Sequence, residues 1–182
     1  MRVVLLGDSH LARVRRDLPA LGPDVCNAAE GGASSLDLLA QATGAAVEED
    51  DLVVVSVGTN DAAPWKHVPV TKFAQAVTHC LRSVPARHWV YVAPPGVDES
   101  RLTGPGDRTN AVLDEYRDAA VSACVEAGAS VVRTELVIGP LGADAFASDG
   151  LHLSGRAYQV VLPAIAEAVH GRALGAQRSI QW

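Results

Sequence analysis

Aromatic side chains are scarce, 4% of the 182 residues. That leaves little stock from which to build a long hydrophobic channel. There are only three cysteines, Cys26, Cys80 and Cys124. Their number is odd and no CxxC spacing occurs, which speaks against a disulfide framework or a structural zinc site and for three small buried thiols. No apolar run is long enough for a membrane span or a leader, the first being Val3 to Leu6, so the chain is expected to be cytoplasmic. Basic residues are in the minority: 15 against 21 acidic, a net charge of −6. A nucleic-acid partner, which needs a basic surface to displace counterions, is not expected. The one basic run, Arg13, Arg15 and Arg16, reads as a solvated helix face. Also missing are GxGxxG and GxxxxGK[ST], the glycine-rich cradles for dinucleotides and nucleotide phosphates, and GxSxG, the nucleophile elbow of the α/β-hydrolases.

What is present is periodic. Hydrophobic residues make up 48% of the chain, and its length suits one domain with one sizeable core. Apolar runs at Arg2–Leu6, Val25–Ala28, Leu52–Val57, Trp89–Ala93 and Ser130–Val132 predict five strands. Leu52 to Val55 is continuously apolar, as a strand covered on both faces should be. Helical patterns lie between them. Ser34–Ala46 carries Leu36, Leu39 and Ala40 and a loose capping box from Ser34 and Asp37. Val70–Leu81 carries Phe73, Ala76, Val77 and Cys80. Asp107–Ala127 carries Val112, Tyr116, Ala119, Ala120 and Ala123, with Gly128 as its stop. Ser154–Val169 closes the domain, with Pro163 expected to kink or interrupt it. Strands alternating with helices predict an α/β fold: a three-layer α/β/α sandwich around a five-stranded parallel sheet, in one domain over residues 1–171. Residues 172–182 lack a helical stripe and are expected to form a mobile tail.

In such a sheet, loops at the carboxyl ends of the strands carry chemistry. Gly7-Asp8-Ser9 follows the first strand, Asn27 to Gly32 the second, and Gly58-Thr59-Asn60-Asp61 the third. Asp149-Gly150-Leu151-His152 precedes the last helix. A serine hydroxyl needs a base to become a nucleophile, and an imidazole, with an ordinary pKa of ~6.5, suits that task. His152 can serve Ser9, and Asp149, three residues away, can orient the ring through one tight turn. Gly32 offers a bare backbone N–H, the Asn60 amide a second donor and the Ser9 N–H a third, as an oxyanion requires. Each piece alone has a bland reading as a turn or a cap; their fixed order is what carries weight. His10, beside Ser9, reads as a surface or capping histidine. His67, His79, His88 and His170 are scattered without ligand spacing, and Asp149 with His152 lacks a third ligand, so neither metal nor cofactor is expected.

Taken together, the four segments resemble the conserved blocks of the SGNH hydrolases, also called the GDSL esterase and lipase family. Gly7-Asp8-Ser9-His10 resembles the first block, with His10 where the family's name has leucine. Asn27 followed by Gly32 resembles the second, Gly58 to Asp61 the third, and Asp149 to His152 the last. The resemblance runs from Val3 to His152. It implies a flavodoxin-like sandwich, with Ser9, Asp149 and His152 as catalytic residues and Ser9, Gly32 and Asn60 as the oxyanion hole. It also implies a serine esterase acting on a small-molecule ester, with no cofactor and no membrane span; oligomeric state stays open. The same residues would serve an acyltransferase, a lysophospholipase or a thioesterase, and a silent binding module would be expected to have lost one of them. Three loops are expected near the site: Ala62–Pro69 with Trp65, Pro94–Gly106, and Gly139–Ser148 with Leu141 and Phe146. Their mostly polar or small residues favour a short acyl group, such as acetyl, on a polar alcohol such as a carbohydrate.

Overall fold

The computed structural model describes residues 1–102, 104 and 107–178. Five parallel strands form one sheet in the order β2-β1-β3-β4-β5. They are β1 Val3–Gly7, β2 Val25–Asn27, β3 Leu52–Ser56, β4 His88–Val92 and β5 Ser130–Val132. The helices are α1 Ser9–Ala12, α2 Leu38–Gly44, α3 Val70–Ser83, α4 Asn110–Glu126, α5 Thr134–Ile138 and α6 Gly155–Arg178. The three-layer α/β sandwich expected from the alternating pattern is therefore present. Its strand order reverses between β1 and β3, and such a switch point opens a crevice at the carboxyl ends of the strands.

Strand side chains alternate between the two faces, and the core divides accordingly. Val4, Leu6, Val53, Val55 and Tyr91 pack against Leu38 of α2, Phe73 and Val77 of α3, and Leu113, Tyr116 and Ala120 of α4. Val3, Leu5, Val54, Val90 and Val92 face the other way, against Leu11 of α1, Ile138 of α5, and Val161, Ile165 and Val169 of α6. Burial on both sides explains why β1 and β3 read as unbroken apolar runs.

Several boundaries and faces differ from the sequence reading. The segment expected to be one helix over 34–46 begins as a 3-10 turn, Ser35–Asp37, and becomes α-helical only at Leu38. The capping pair is present, with the Ser34 N–H donating to Asp37 Oδ2 at 2.7 Å. The buried face, however, is Leu38, Gln41 and Ala42, while Leu36 is 47% exposed. The tight first turn rotates the later residues away from the phase that an uninterrupted helix would have. In α4 the inward stripe likewise runs through Leu113, Tyr116, Arg117, Ala120 and Cys124, and Val112 is exposed. Helix α6 passes through Pro163 without interruption; that residue sits on the exposed side. The same helix continues to Arg178, into the stretch read as a tail, and residues 179–182 lie outside the described residues. Of the cysteines, Cys80 and Cys124 are buried, Cys26 is half-buried, and all three are free. Among the described residues no helix is long and apolar enough to cross a membrane.

The turn out of β1 is the tightest point of the fold. Gly7 pairs with Ser56 of β3 and has φ +118°. A Cβ there would lie 1.9 Å from the Ser56 carbonyl oxygen, which is backbone and cannot turn aside. Gly7→Ala is therefore expected to destabilise the fold by about 4 kcal/mol or more. Thermal unfolding should show Tm falling by roughly 8 °C or more; an unchanged Tm would mean that β1 and β3 are not in this register.

Candidate active site

Ser9 opens α1 directly after the Gly7 turn, at the strand-order switch. Asp8, the N-cap, accepts the His10 N–H on Oδ1 at 3.0 Å, which fixes the first turn of the helix. At the other end of that helix, the Asn27 amide donates to the carbonyls of Leu11 and Val14, both at 2.9 Å. So one side chain from the second block adds two hydrogen bonds at the carboxyl end of the short helix that presents the serine.

The last block arrives from the opposite end of the chain. His152 Nε2 lies 3.1 Å from Ser9 Oγ, and His152 Nδ1 lies 2.6 Å from Asp149 Oδ2. Asp149 Oδ1 also accepts the backbone N–H groups of Leu151 at 3.0 Å and His152 at 2.9 Å. Burial alone would raise the Asp149 carboxyl, yet the His152 ring and these two N–H groups outweigh it and hold the group well below the usual carboxylate range. It stays anionic, as an acid that orients an imidazole must. The turn is braced from outside: the Asp98 N–H donates to the Gly150 carbonyl at 2.7 Å, and Ala147 N–H to the His152 carbonyl at 2.8 Å.

Asn60 and Gly32 lie on the same cleft as Ser9 and His152, which measures about 590 Å³. Asn60 Nδ2 donates to the Ala33 carbonyl at 2.9 Å, so one amide hydrogen is anchored and the other is left over. Gly32 has φ +82°, and its carbonyl takes a hydrogen bond from the Lys66 ammonium. Among the described residues no acceptor takes the backbone N–H of Gly32. All five residues singled out in the sequence thus come together. A hydroxyl hydrogen-bonded to an imidazole, whose other nitrogen meets a carboxylate, can lose its proton to the ring as it attacks a carbonyl.

Other residues, to which the sequence reading assigned no role, also build the site. The Asp61 carboxylate is buried and takes the Ser35 N–H and hydroxyl at 2.9 and 2.6 Å and the Gly58 N–H at 3.1 Å. It ties the third block to Ser35, in the segment that leads into α2. Burial pushes its pKa up against the opposing pull of those bonds. The Gln41 amide pairs with the backbone of Gly7, accepting its N–H at 2.6 Å and donating to its carbonyl at 3.0 Å. Arg108 is buried, donates to the Thr59 carbonyl at 2.9 Å and to Asp107 at 2.9 Å, and lies 4.8 Å from the centre of the Trp65 ring. Gln41 sat on a helix face misphased by the 3-10 turn. Arg108 follows a loop whose path no periodicity describes.

The three expected loops fare differently. The first reaches the cleft through Trp65. The second braces the Asp149–His152 turn through Asp98, while Arg101 Nη1 donates to the Phe146 and Ala147 carbonyls. The third packs inward, with Ala145 buried and Leu141 and Phe146 against the α6-side core. Among the described residues no group of three or more His, Cys, Asp and Glu is placed to hold a metal ion.

His10 is not a surface residue: it is 3% exposed, and among the described residues neither ring nitrogen has a hydrogen-bond partner. Its ring centre is 6.1 Å from that of His152. Burial, reinforced by the nearby His152 and arginines, lowers its pKa to about 3. In the unfolded chain it protonates below ~6.5. Between those values the unfolded state binds the extra proton, so stability is lost as pH falls from about 6.5 toward 3. Neighbouring Asp8, raised by burial to about 7, has the opposite sign: its contribution is present below the ordinary carboxylate pKa and fades as pH rises toward 7. Replacing His10 by leucine removes only the first effect. The stability gained by His10→Leu over the parent should therefore grow by about 2 kcal/mol on going from pH 7 to pH 5. Urea unfolding of both proteins at the two pH values checks this; a pH-independent difference would mean that the imidazole is solvated.

The profile of the GDSL-like Lipase/Acylhydrolase family matches residues 6–160, which spans all four blocks. Curated protein sequences show no significant match. Solved structures do. A lipase/acylhydrolase from Enterococcus faecalis superposes with a TM-score of 0.78 at 21% identity, covering 94% of this chain and 96% of that one. LAE5, an alpha/beta hydrolase from the metagenome of Lake Arreo, gives 0.74 at 18% identity, with 93% and 94% covered. Axe2, an acetylxylan esterase from Geobacillus stearothermophilus, gives 0.70 at 16% identity, with 92% and 93% covered. These likenesses concern the fold; the family match concerns the sequence blocks themselves. By the family match the chain belongs to the GDSL-like lipase/acylhydrolase family and is a carboxylic ester hydrolase.

Proposed function

We propose that this enzyme hydrolyses short-chain acyl esters of a polar alcohol through a Ser9–His152–Asp149 triad. The observation that carries the reading is the unbroken chain of hydrogen bonds from Asp149 through His152 to Ser9, 2.6 and 3.1 Å long. Ser9 Oγ attacks the carbonyl carbon while His152 Nε2 takes the hydroxyl proton. The carbonyl oxygen becomes an oxyanion, met by the N–H groups of Ser9 and Gly32 and the free amide hydrogen of Asn60. The intermediate collapses, the C–O bond to the alcohol breaks, and His152 returns the proton to that oxygen. Water then repeats the sequence on the acyl-enzyme, and Asp149 holds the ring in one tautomer throughout.

Short acyl groups are favoured because, among the described residues, few large non-polar side chains line the cleft. Its larger non-polar side chains are Trp65 and Leu151, and Trp65 is 68% exposed. Leu141 and Phe146, the other candidates for a hydrophobic wall, are spent on the core. Axe2, an acetylxylan esterase, has the same fold, which agrees with a polar alcohol.

Ser9→Ala should remain folded and lose on the order of 10⁶ in kcat, since triad members act as a unit. Asn60→Ala should lose ~10²–10³ in kcat with KM little changed, because that interaction is made mainly in the transition state. Near-normal esterase activity in purified Ser9→Ala excludes the mechanism. For acyl length, p-nitrophenyl esters from acetate to octanoate should show kcat/KM falling beyond roughly four carbons, as overpacking outweighs the burial of further methylenes. An octanoate much better than the acetate would instead indicate a lipase or thioesterase pocket.

A further inference from the structure

The charge of the cleft contradicts the charge of the protein. The chain as a whole is acidic, −6. Yet the fixed charges lining the cleft are three guanidiniums, Arg13, Arg15 and Arg108, with no carboxylate among the lining residues. Arg108 is committed: it pairs with Asp107, donates to the Thr59 carbonyl and lies against Trp65. Arg13 and Arg15 are not. Both are exposed, and among the described residues neither forms an ion pair with a carboxylate. Arg15 is tethered only through Nε, which donates to the Ala12 carbonyl at 3.3 Å, so its outer N–H groups are uncommitted. Arg13 ends the single turn of α1, its N–H bonded to the Ser9 carbonyl at 3.2 Å. Four residues on, it shares a helix face with Ser9, about 6 Å further along the axis.

Resting on the hydrolase reading above, we propose that the alcohol part of the substrate carries an anionic group, a carboxylate or a phosphate, received by Arg13 and Arg15. Guanidinium groups bind both anions through paired N–H donors. Two cations that form no ion pair among the described residues, at the rim of the cleft, also raise the local concentration of an anionic ester. The alcohol side is the natural bearer. The carbonyl must approach Ser9, Gly32 and Asn60, whereas the exposed arginines stand at the solvent edge by which the leaving alcohol departs.

The test compares para-acetoxyphenylacetate with its neutral N-methyl amide, and with para-acetoxybenzylphosphonate. In each, a methylene insulates the charge from the phenyl ester, so intrinsic reactivity is matched. The enzyme should favour at least one anion by roughly tenfold in kcat/KM over the amide, and added salt should shrink the preference. The larger of the two ratios says whether carboxylate or phosphate is preferred. In Arg13→Gln/Arg15→Gln, whose exposed side chains leave no cavity, the ratio should drop to near one. A ratio at or below one in the parent enzyme overturns the proposal, as does a preference that survives the double substitution. A para-cresyl hemisuccinate hydrolysed faster than para-acetoxyphenylacetate overturns the placement on the alcohol side. If no ester is turned over, hydrolysis is the reading that fails. Calorimetric titration with the product phenols then decides the anion site: arginine-dependent binding of para-hydroxyphenylacetate over its methyl amide upholds it, and equal or absent binding overturns it.

Discussion

The close approach of β1 to β3 at Gly7 is the constraint on which the rest of the site depends. With no side chain, Gly7 lets the Ser56 carbonyl occupy the space where a Cβ would be. The chain can then turn sharply enough for Asp8 to cap, and Ser9 to begin, a helix at the strand-order switch. The Asp8 N–H donates to that same Ser56 carbonyl at 3.0 Å. Gln41 completes the arrangement by bonding both backbone groups of Gly7, which faces Ser56 of β3 but lies past the end of the pairing with β2.

Around that turn, buried polar side chains act as ties between segments that are distant in sequence. Asp61 joins the 58–61 turn to Ser35, Asn27 joins β2 to the end of α1, and Arg108 joins the segment before α4 to Thr59. Removing such polar groups from water is costly, and these hydrogen bonds offset that cost. The return is rigidity: the donors and the hydroxyl sit on backbone held from several directions, which an electrostatic site needs if it is not to reorganise during the reaction.

The sheet was legible in the sequence because both of its faces are covered, so Val3 to Leu6 and Leu52 to Val55 are apolar without interruption. Ser9, Gly32, Asn60, Asp149 and His152 were legible because each falls in a short block whose order is fixed. Phase and long-range polar contacts were not. Leu36 was assigned inward because a 3-10 turn and an α-helix differ in residues per turn, and the error removed Gln41 from view. His10 was read as exposed because nothing local distinguishes a buried imidazole from a capping one. Arg13 and Arg15 looked like a solvated face; what sets them apart is the cleft beside them, formed by residues 31–32, 60–65 and 151–152.

The hydrogen bond between His152 and Ser9 spans 143 positions, whereas His152 and Asp149 share one turn. Synthesis from the amino terminus therefore delivers the hydroxyl first and its base last, after every strand of the sheet has been made. Until the last segment packs against the face formed by Val3, Leu5 and Val54, Ser9 Oγ lacks its hydrogen bond to the His152 ring. The order of the blocks along the chain thus leaves the Ser9–His152 contact waiting on nearly the whole of the polypeptide.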